Sequence, residues 1–228
     1  MTTLIRIVIL IILILLPFVS NGAAASNQLQ PKHKTDAIFQ EVTYKREGEL
    51  EHIQIKGTKM PYMLSNIYDI EINAEEGTYN IINSVQQESI PFYAGISNYT
   101  AWVQATTKDP LNISLCTTRT QLSWENDGTT LTFQQHSLTP WAAFPSALGT
   151  HWYIDTSTLF EPVIGNGNIT QKGYAGYYNY DFGFPNRKVE AKHWITITGK
   201  ENGSYDYTVD WERSGEGWFL LHLRVEIS

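Results

Sequence analysis

From His52 onward, apolar and polar residues mostly take turns along the chain. Ile53 and Ile55 alternate with polar neighbours, as do Tyr68, Ile70 and Ile72, then Phe92, Ala94 and Ile96, then Leu111, Ile113 and Leu115. A period of two marks half-buried strands, because successive side chains leave opposite faces of the backbone. Turn sequences separate the runs: Glu75-Glu76-Gly77, Lys108-Asp109-Pro110, Asn126-Asp127-Gly128, Gly165-Asn166-Gly167, Glu201-Asn202-Gly203 and Ser214-Gly215-Glu216-Gly217. Their Asn-Gly and Asp-Gly pairs supply the positive φ values that tight hairpins need.

The last third reads as an antiparallel meander. Val189, Ala191, His193, Ile195 and Ile197 fall on one face, with Glu190, Lys192, Trp194, Thr196 and Thr198 on the other. Tyr205, Tyr207, Val209 and Trp211 oppose Asp206, Thr208 and Asp210, and Phe219, Leu221, Leu223, Val225 and Ile227 form a face expected to be core. Short strands at regular turn spacing fit a sandwich or a barrel. The fold class expected is all-β: an antiparallel β-sandwich of short strands and hairpins, one domain over 51–228, preceded by a short N-terminal arm or helix over 26–50. Residues 26–34 are polar and read as a mobile arm. Thr35-Asp36 would cap a short helix through Val42, although Thr43 to Arg46 reads equally well as strand, and Gly48 breaks either.

The first 25 residues look different from the rest. Arg6 precedes an unbroken apolar run from Ile7 to Leu16, and the small residues Ala23 to Ala25 make an A-x-A pattern suited to signal peptidase. Cleavage is expected after Ala25, with Gly22 as the alternative; an uncleaved membrane anchor would need about 20 apolar residues, more than this run holds. Export makes four Asn-x-Ser/Thr triplets candidate glycan acceptors, at Asn98, Asn112, Asn168 and Asn202. Roughly 200 residues remain after cleavage, enough to bury a core without covalent help.

The formal charge is −7 and no basic run interrupts it, so the chain lacks the electrostatic footprint for a phosphate backbone, and nucleic acid is not an expected partner. Cys116 is the only cysteine. No disulfide can form within the chain, and the apolar flanks of Cys116 favour a buried thiol over a bridge between chains.

Catalytic and metal signatures are missing. There is no Gly-x-Ser-x-Gly elbow, no calcium loop, no phosphate-cradling glycine loop, and the six histidines are scattered singly rather than spaced as zinc ligands. No cofactor, metal or catalytic residue is assigned. Carboxylates such as Glu125, Asp155, Glu190 and Glu212 are available for sugar hydrolysis, where only spatial pairing counts.

Aromatic density is what stands out. In Gly173-Tyr174-Ala175-Gly176-Tyr177-Tyr178-Asn179-Tyr180, alternation places Tyr174, Tyr178 and Tyr180 on one face and Tyr177 on the other. A core needs only one of these faces. Tyr and Trp suit amphipathic partners, since the ring offers stacking area while the hydroxyl or indole N–H stays wet; they also pair across strands as ordinary sheet packing. Trp194 shares its face with charged residues, and Trp218 begins a run beside a glycine-rich turn. Tyr177, Trp194 and Trp218 are the expected contacts to a membrane lipid or carbohydrate surface.

Gly173-Tyr-Ala-Gly176-Tyr-Tyr-Asn-Tyr180 resembles the Gly-x-x-Gly-x-x-x-Tyr strand of small actinoporin and aegerolysin β-sandwich proteins, with an upstream strand at Ile96 to Trp102 and a later one ending near Trp211. The resemblance covers about half of the mature chain in pattern. The aromatic cluster and basic patch of those membrane faces are not reproduced, so no functional residue is carried over. It implies a membrane-binding sandwich, with cytolytic action as a consequence. The expected function is that of a secreted, N-glycosylated, non-enzymatic β-sandwich binding a lipid or glycan surface. The alternatives are a structural or adhesive extracellular glycoprotein and a glycan hydrolase.

Overall fold

The computed structural model describes residues 26–33, 39–61, 65–87, 97–143, 151–182 and 187–228. The leader, the helix cap at Thr35-Asp36 and the Phe92 to Ile96 alternation lie outside them. Among the described residues, fifteen strands build two sheets. One sheet runs β1 (Asn27–Gln28), β3 (Glu41–Glu47), β4 (Leu50–Lys59), β14 (Tyr205–Gly215), β13 (Val189–Lys200), β12 (Asn168–Asn179) and β10 (Tyr153–Leu159), with β11 (Val163–Gly165) also on β12. The other runs β2 (Gln30–Pro31), β6 (Thr78–Gln87), β5 (Ser65–Asn73), β15 (His222–Ile227), β7 (Ser97–Lys108), β8 (Ser114–Asn126) and β9 (Leu131–Ala142). Every pairing is antiparallel except β2 with β6. The all-β sandwich read from the alternation is the observed fold. Among the described residues, no helix is long and apolar enough to cross a membrane.

Strand faces follow the alternation closely. Val189, Ala191, His193, Ile195 and Ile197 are all buried, as are Tyr205, Tyr207, Val209 and Trp211 across the Asn202-Gly203 hairpin. Gly203 takes φ of 79° there, and the Tyr99 ring packs directly against it. Two strand glycines let the sheets close. A Cβ at Gly199 would stand 2.8 Å from the Trp124 indole, and one at Gly173 would clash with Thr120 and sit 2.8 Å from Leu138 Cδ1.

Four local expectations are corrected. Residues 26–33 and 39–50 are not a free arm: β1 pairs with β3, β2 pairs with β6, and Leu29 between them is buried in the core. Leu29 is the apolar anchor in a polar stretch, and its N–H donates to Val42 of β3 while that of Gln30 donates to Gly77 in the turn before β6. Glu41 and Val42, expected in a helix, belong to strand β3, whose pairing with β4 outweighs a short isolated helix. Leu111 is exposed and Asn112 has φ of 69° in a turn that delays β8 until Ser114; Phe219 is exposed in a 3-10 turn over Trp218–Leu220 rather than in the core.

Candidate functional site

The three aromatic residues singled out from the sequence lie in three different places. Tyr177 is 1 % exposed, inside the sandwich. Its face of β12 is the inner one, alongside Ile169, Gln171, Gly173 and Ala175, all of them buried. The small residues on this face look like an empty surface in the sequence; they are small because β8 and β9 close tightly over them. Tyr177 is therefore excluded from any contact surface.

Tyr177 instead ends a buried polar chain that crosses between the sheets. Trp211 Nε1 donates to Thr107 Oγ1 at 2.9 Å, Thr107 Oγ1 lies 2.8 Å from His193 Nε2, and His193 Nδ1 lies 2.9 Å from Thr118 Oγ1. Thr118 Oγ1 is 2.7 Å from Tyr177 Oη, which donates to the Thr117 carbonyl at 2.5 Å. The indole only donates and the carbonyl only accepts. With Tyr177 committed to that carbonyl, Thr118 donates to Tyr177 and accepts from His193 Nδ1–H, and Nε2 accepts from Thr107. Each proton runs in one direction on a neutral imidazole. Burial pushes His193 down to about 3 and raises the Tyr177 phenol above its ordinary value. Cys116 nearby is fully buried, its thiol pushed up to about 12, which removes it from bridges between chains.

Trp218 sits at one end of the sandwich and lines a cleft of about 380 Å³ with Tyr44, Arg46, Glu71, Thr78 and Phe219. Its ring is already engaged: the Arg46 and Arg213 guanidinium carbons lie 5.0 and 4.8 Å from its centroid. Arg213 is fixed by Glu51, at 2.9 and 2.8 Å from Nε and Nη2, and Glu51 also accepts from Tyr44 Oη at 2.7 Å. Trp218 thus belongs to a cation-aromatic cluster at the sheet ends, far from Trp194 in the fold.

Trp194 lies on the outward face of β13, half-buried, where the register sets it against Tyr174 of β12. The two rings stack with centroids 4.7 Å apart and planes 29° off parallel. Two rows along, Tyr153 of the edge strand stacks on Tyr178 at 5.3 Å and 23°, and Tyr180 meets Tyr178 edge-on at 5.4 Å. Tyr153 and Tyr180 are 42 % and 50 % exposed. Tyr174 and Tyr178 stand four residues apart on one strand, roughly 13 Å. Between them, Gly176 carries no side chain, and the Tyr174 hydroxyl leans over it, 2.8 Å from where a Cβ would be.

Ionic groups border this gap. Lys192 pairs across from Gly176 and reaches Glu212 at 3.6 Å, while Lys188 bonds Glu190, which pairs across from Tyr178. Burial works against ionised Glu190, yet the Lys188 contact holds its carboxyl below the ordinary value. The Tyr174 phenol is raised by burial and then by the Asp155 carboxylate, which stands at the β10 bulge. Further along, Asp210 accepts from Gln54 at 2.7 Å and holds His52 at 3.0 Å, the bond that raises the His52 imidazole. The outer surface is a shallow sheet face of stacked rings, hydroxyls and paired charges. Alternation had placed Tyr174, Tyr178 and Tyr180 together; Tyr153 was missed because it joins them only through β10–β12 pairing.

Three of the candidate acceptor asparagines, Asn98, Asn168 and Asn202, lie at the end of the sandwich carrying the β13–β14 turn, and Asn112 lies on the β7–β8 turn. Asn98, Asn112 and Asn202 are exposed and Asn168 is half-buried. Among the described residues, no three His, Cys, Asp or Glu side chains converge as metal ligands. The fold and this face together define an all-β, two-sheet sandwich with a stacked aromatic surface on the outer side of β10, β12 and β13. Comparison with protein-family models, curated proteins and solved structures finds no match to this chain.

Proposed function

We propose that this protein is a secreted, N-glycosylated, non-enzymatic sandwich that binds carbohydrate on the outer face of β10, β12 and β13. The observation that carries the reading is the pair of aromatic stacks, Tyr174 with Trp194 and Tyr153 with Tyr178, flanking the side-chain-free position Gly176. A sugar ring offers a C–H face for stacking and a rim of hydroxyls, and this surface offers rings beside hydroxyls and charges of both signs. Rings already fixed against one another lose little freedom on binding.

A lipid surface fits less well. The chain is acidic overall, and the rings are bordered by Asp155, Glu190 and Glu212 rather than by a basic patch, so an anionic leaflet would be repelled. Glu190 and Glu212 are held in ion pairs on an open face, and Asp155 stands at the edge-strand bulge beside Tyr174, which supports binding over hydrolysis.

Calorimetric titration with soluble neutral oligosaccharides, alongside co-sedimentation with insoluble polysaccharides and with liposomes, tests the proposal. Binding to a glycan that Trp194→Ala weakens about tenfold or more, with the variant still folded, supports it. Binding to liposomes alone, or glycan binding indifferent to Trp194→Ala and Tyr174→Ala, overturns it.

A further inference from the structure

The free edge of the larger sheet is unlike the rest of the surface. β10 is hydrogen-bonded to β12 on one side, and among the described residues no strand pairs with its other side. Six of its seven residues are exposed. Ten large apolar side chains are exposed among the described residues, and five of them, Tyr153, Ile154, Phe160, Val163 and Ile164, lie in this one short stretch. An edge of this length is a template for a further strand, and proteins that remain single blunt such edges with lysine, proline or inward-pointing charge. Here Tyr153 to Phe160 contains no lysine and no proline, and Asp155 is its only charge.

We infer that this edge is a self-association surface and that its occupant is the β10 strand of a second copy, paired antiparallel about a two-fold axis. The residues are complementary to themselves. Below the bulge at Ile154/Thr156, Thr156 and Thr158 face outward, opposite Gly176 and Tyr174, while Ser157 and Leu159 face inward. An axis through Ser157 places Ser157 opposite its own copy and Thr156 opposite Thr158, each on a matching face, a hydroxyl ladder of the kind that stabilises cross-strand pairs.

Charge favours the same arrangement. Two acidic chains repel wherever their carboxylates meet, yet in this register Asp155 lies opposite Leu159 of the copy. The two Asp155 side chains are then displaced by four residues, roughly 13 Å along the strands, beyond a Debye length at physiological salt. Phe160, Val163 and Ile164 flank the pairing and cover apolar surface otherwise left in water. The pairing does not depend on glycan binding. Its consequence for the outer face is that Tyr153 lies on the junction strand itself, so two aromatic surfaces would merge into one.

Light scattering and analytical ultracentrifugation of the glycosylated mature protein test the inference without any ligand. The expected result is a concentration-dependent dimer whose dissociation constant rises about tenfold or more in Ser157→Lys. Since a lysine is tolerated on an exposed edge, folding of that variant is checked by its circular dichroism. Ser157→Cys tests the register: with Cys116 buried, oxidation gives a dimer linked through position 157, while Thr130→Cys, exposed elsewhere, stays monomeric under the same oxidation. A protein monomeric at every concentration overturns the inference. So does a dimer indifferent to Ser157→Lys that fails to crosslink through Ser157→Cys.

Discussion

His193 Nε2 of one sheet and Thr107 Oγ1 of the other stand 2.8 Å apart in the middle of the sandwich. The bond joins β13 to β7 within a run of donors and acceptors whose ends, an indole N–H and a backbone carbonyl, permit one direction only. Apolar packing alone would let two twisted sheets slide. A buried polar chain with every member satisfied fixes their relative position.

Stability is expected to fall in acid because of this imidazole. His193 is held at about 3 in the folded chain against an ordinary 6.5. The unfolded state therefore binds the extra proton between those values. The contribution is complete above pH 6.5 and is lost as pH falls toward 3, by up to about 1.4 kcal/mol per unit. Urea unfolding at pH 7.5 and 4.5 checks it. His193→Ala should cost about 3 kcal/mol at the higher pH and flatten the difference between the two; an equally steep acid loss in the variant would refute the assignment.

Two conservative changes on β12 should separate structure from surface. Tyr177→Phe removes the inward hydroxyl that Thr118 donates to and is expected to lower stability by about 1–2 kcal/mol with glycan affinity unchanged. Tyr174→Ala is expected to do the reverse, with affinity lost and little change in the melting temperature. Calorimetry and thermal melts on both variants decide it.

Glycine substitutions give a contrast along the same strand. Gly173→Ala drives a methyl into Thr120 and Leu138 where β8 and β9 pack on β12, so a loss of about 2 kcal/mol or more is expected. Gly176→Ala meets the free end of the Tyr174 side chain and Thr156; the fold should tolerate it while the Tyr174 hydroxyl is pushed off this position and binding drops.

Glu51→Ala is expected to cost about 3 kcal/mol, because it strands the guanidinium of Arg213, whose side chain is 11 % exposed. Glu51→Gln should recover part of this, since an amide oxygen still accepts from Arg213. Denaturant midpoints of the two variants make the comparison. Thiol titration adds a check on the core: Cys116 should be silent toward an aromatic disulfide reagent until denaturant is added.

Much of the sandwich was legible in the sequence wherever a strand has one wet face and one dry one. β13 and β14 alternate without exception over their first seven residues or more, and both faces were assigned correctly from that alone. The signal failed where the inner face is lined by small residues. On β12, aromatics stand on both faces and a core needs only one, so Tyr177, the single ring on its side beside Gly173 and Ala175, read as exposed although that side is the buried one. It failed again where long-range pairing supplies the reason for a strand: nothing local to Glu41 and Val42 announces β4, and nothing near Tyr153 announces Tyr178. Trp194 was legible because its neighbours Lys192 and Glu190 mark a wet face, whereas the guanidiniums over Trp218 come from β3 and β14.

The indole of Trp124 resting on the bare backbone of Gly199 has a consequence for inheritance. A lineage that shrinks residue 124 opens a void that a side chain at 199 must then fill, and one that enlarges residue 199 while the indole remains forces the sheets apart. The two positions are therefore bound to drift as a couple, so descendants of this chain should carry either both partners or neither.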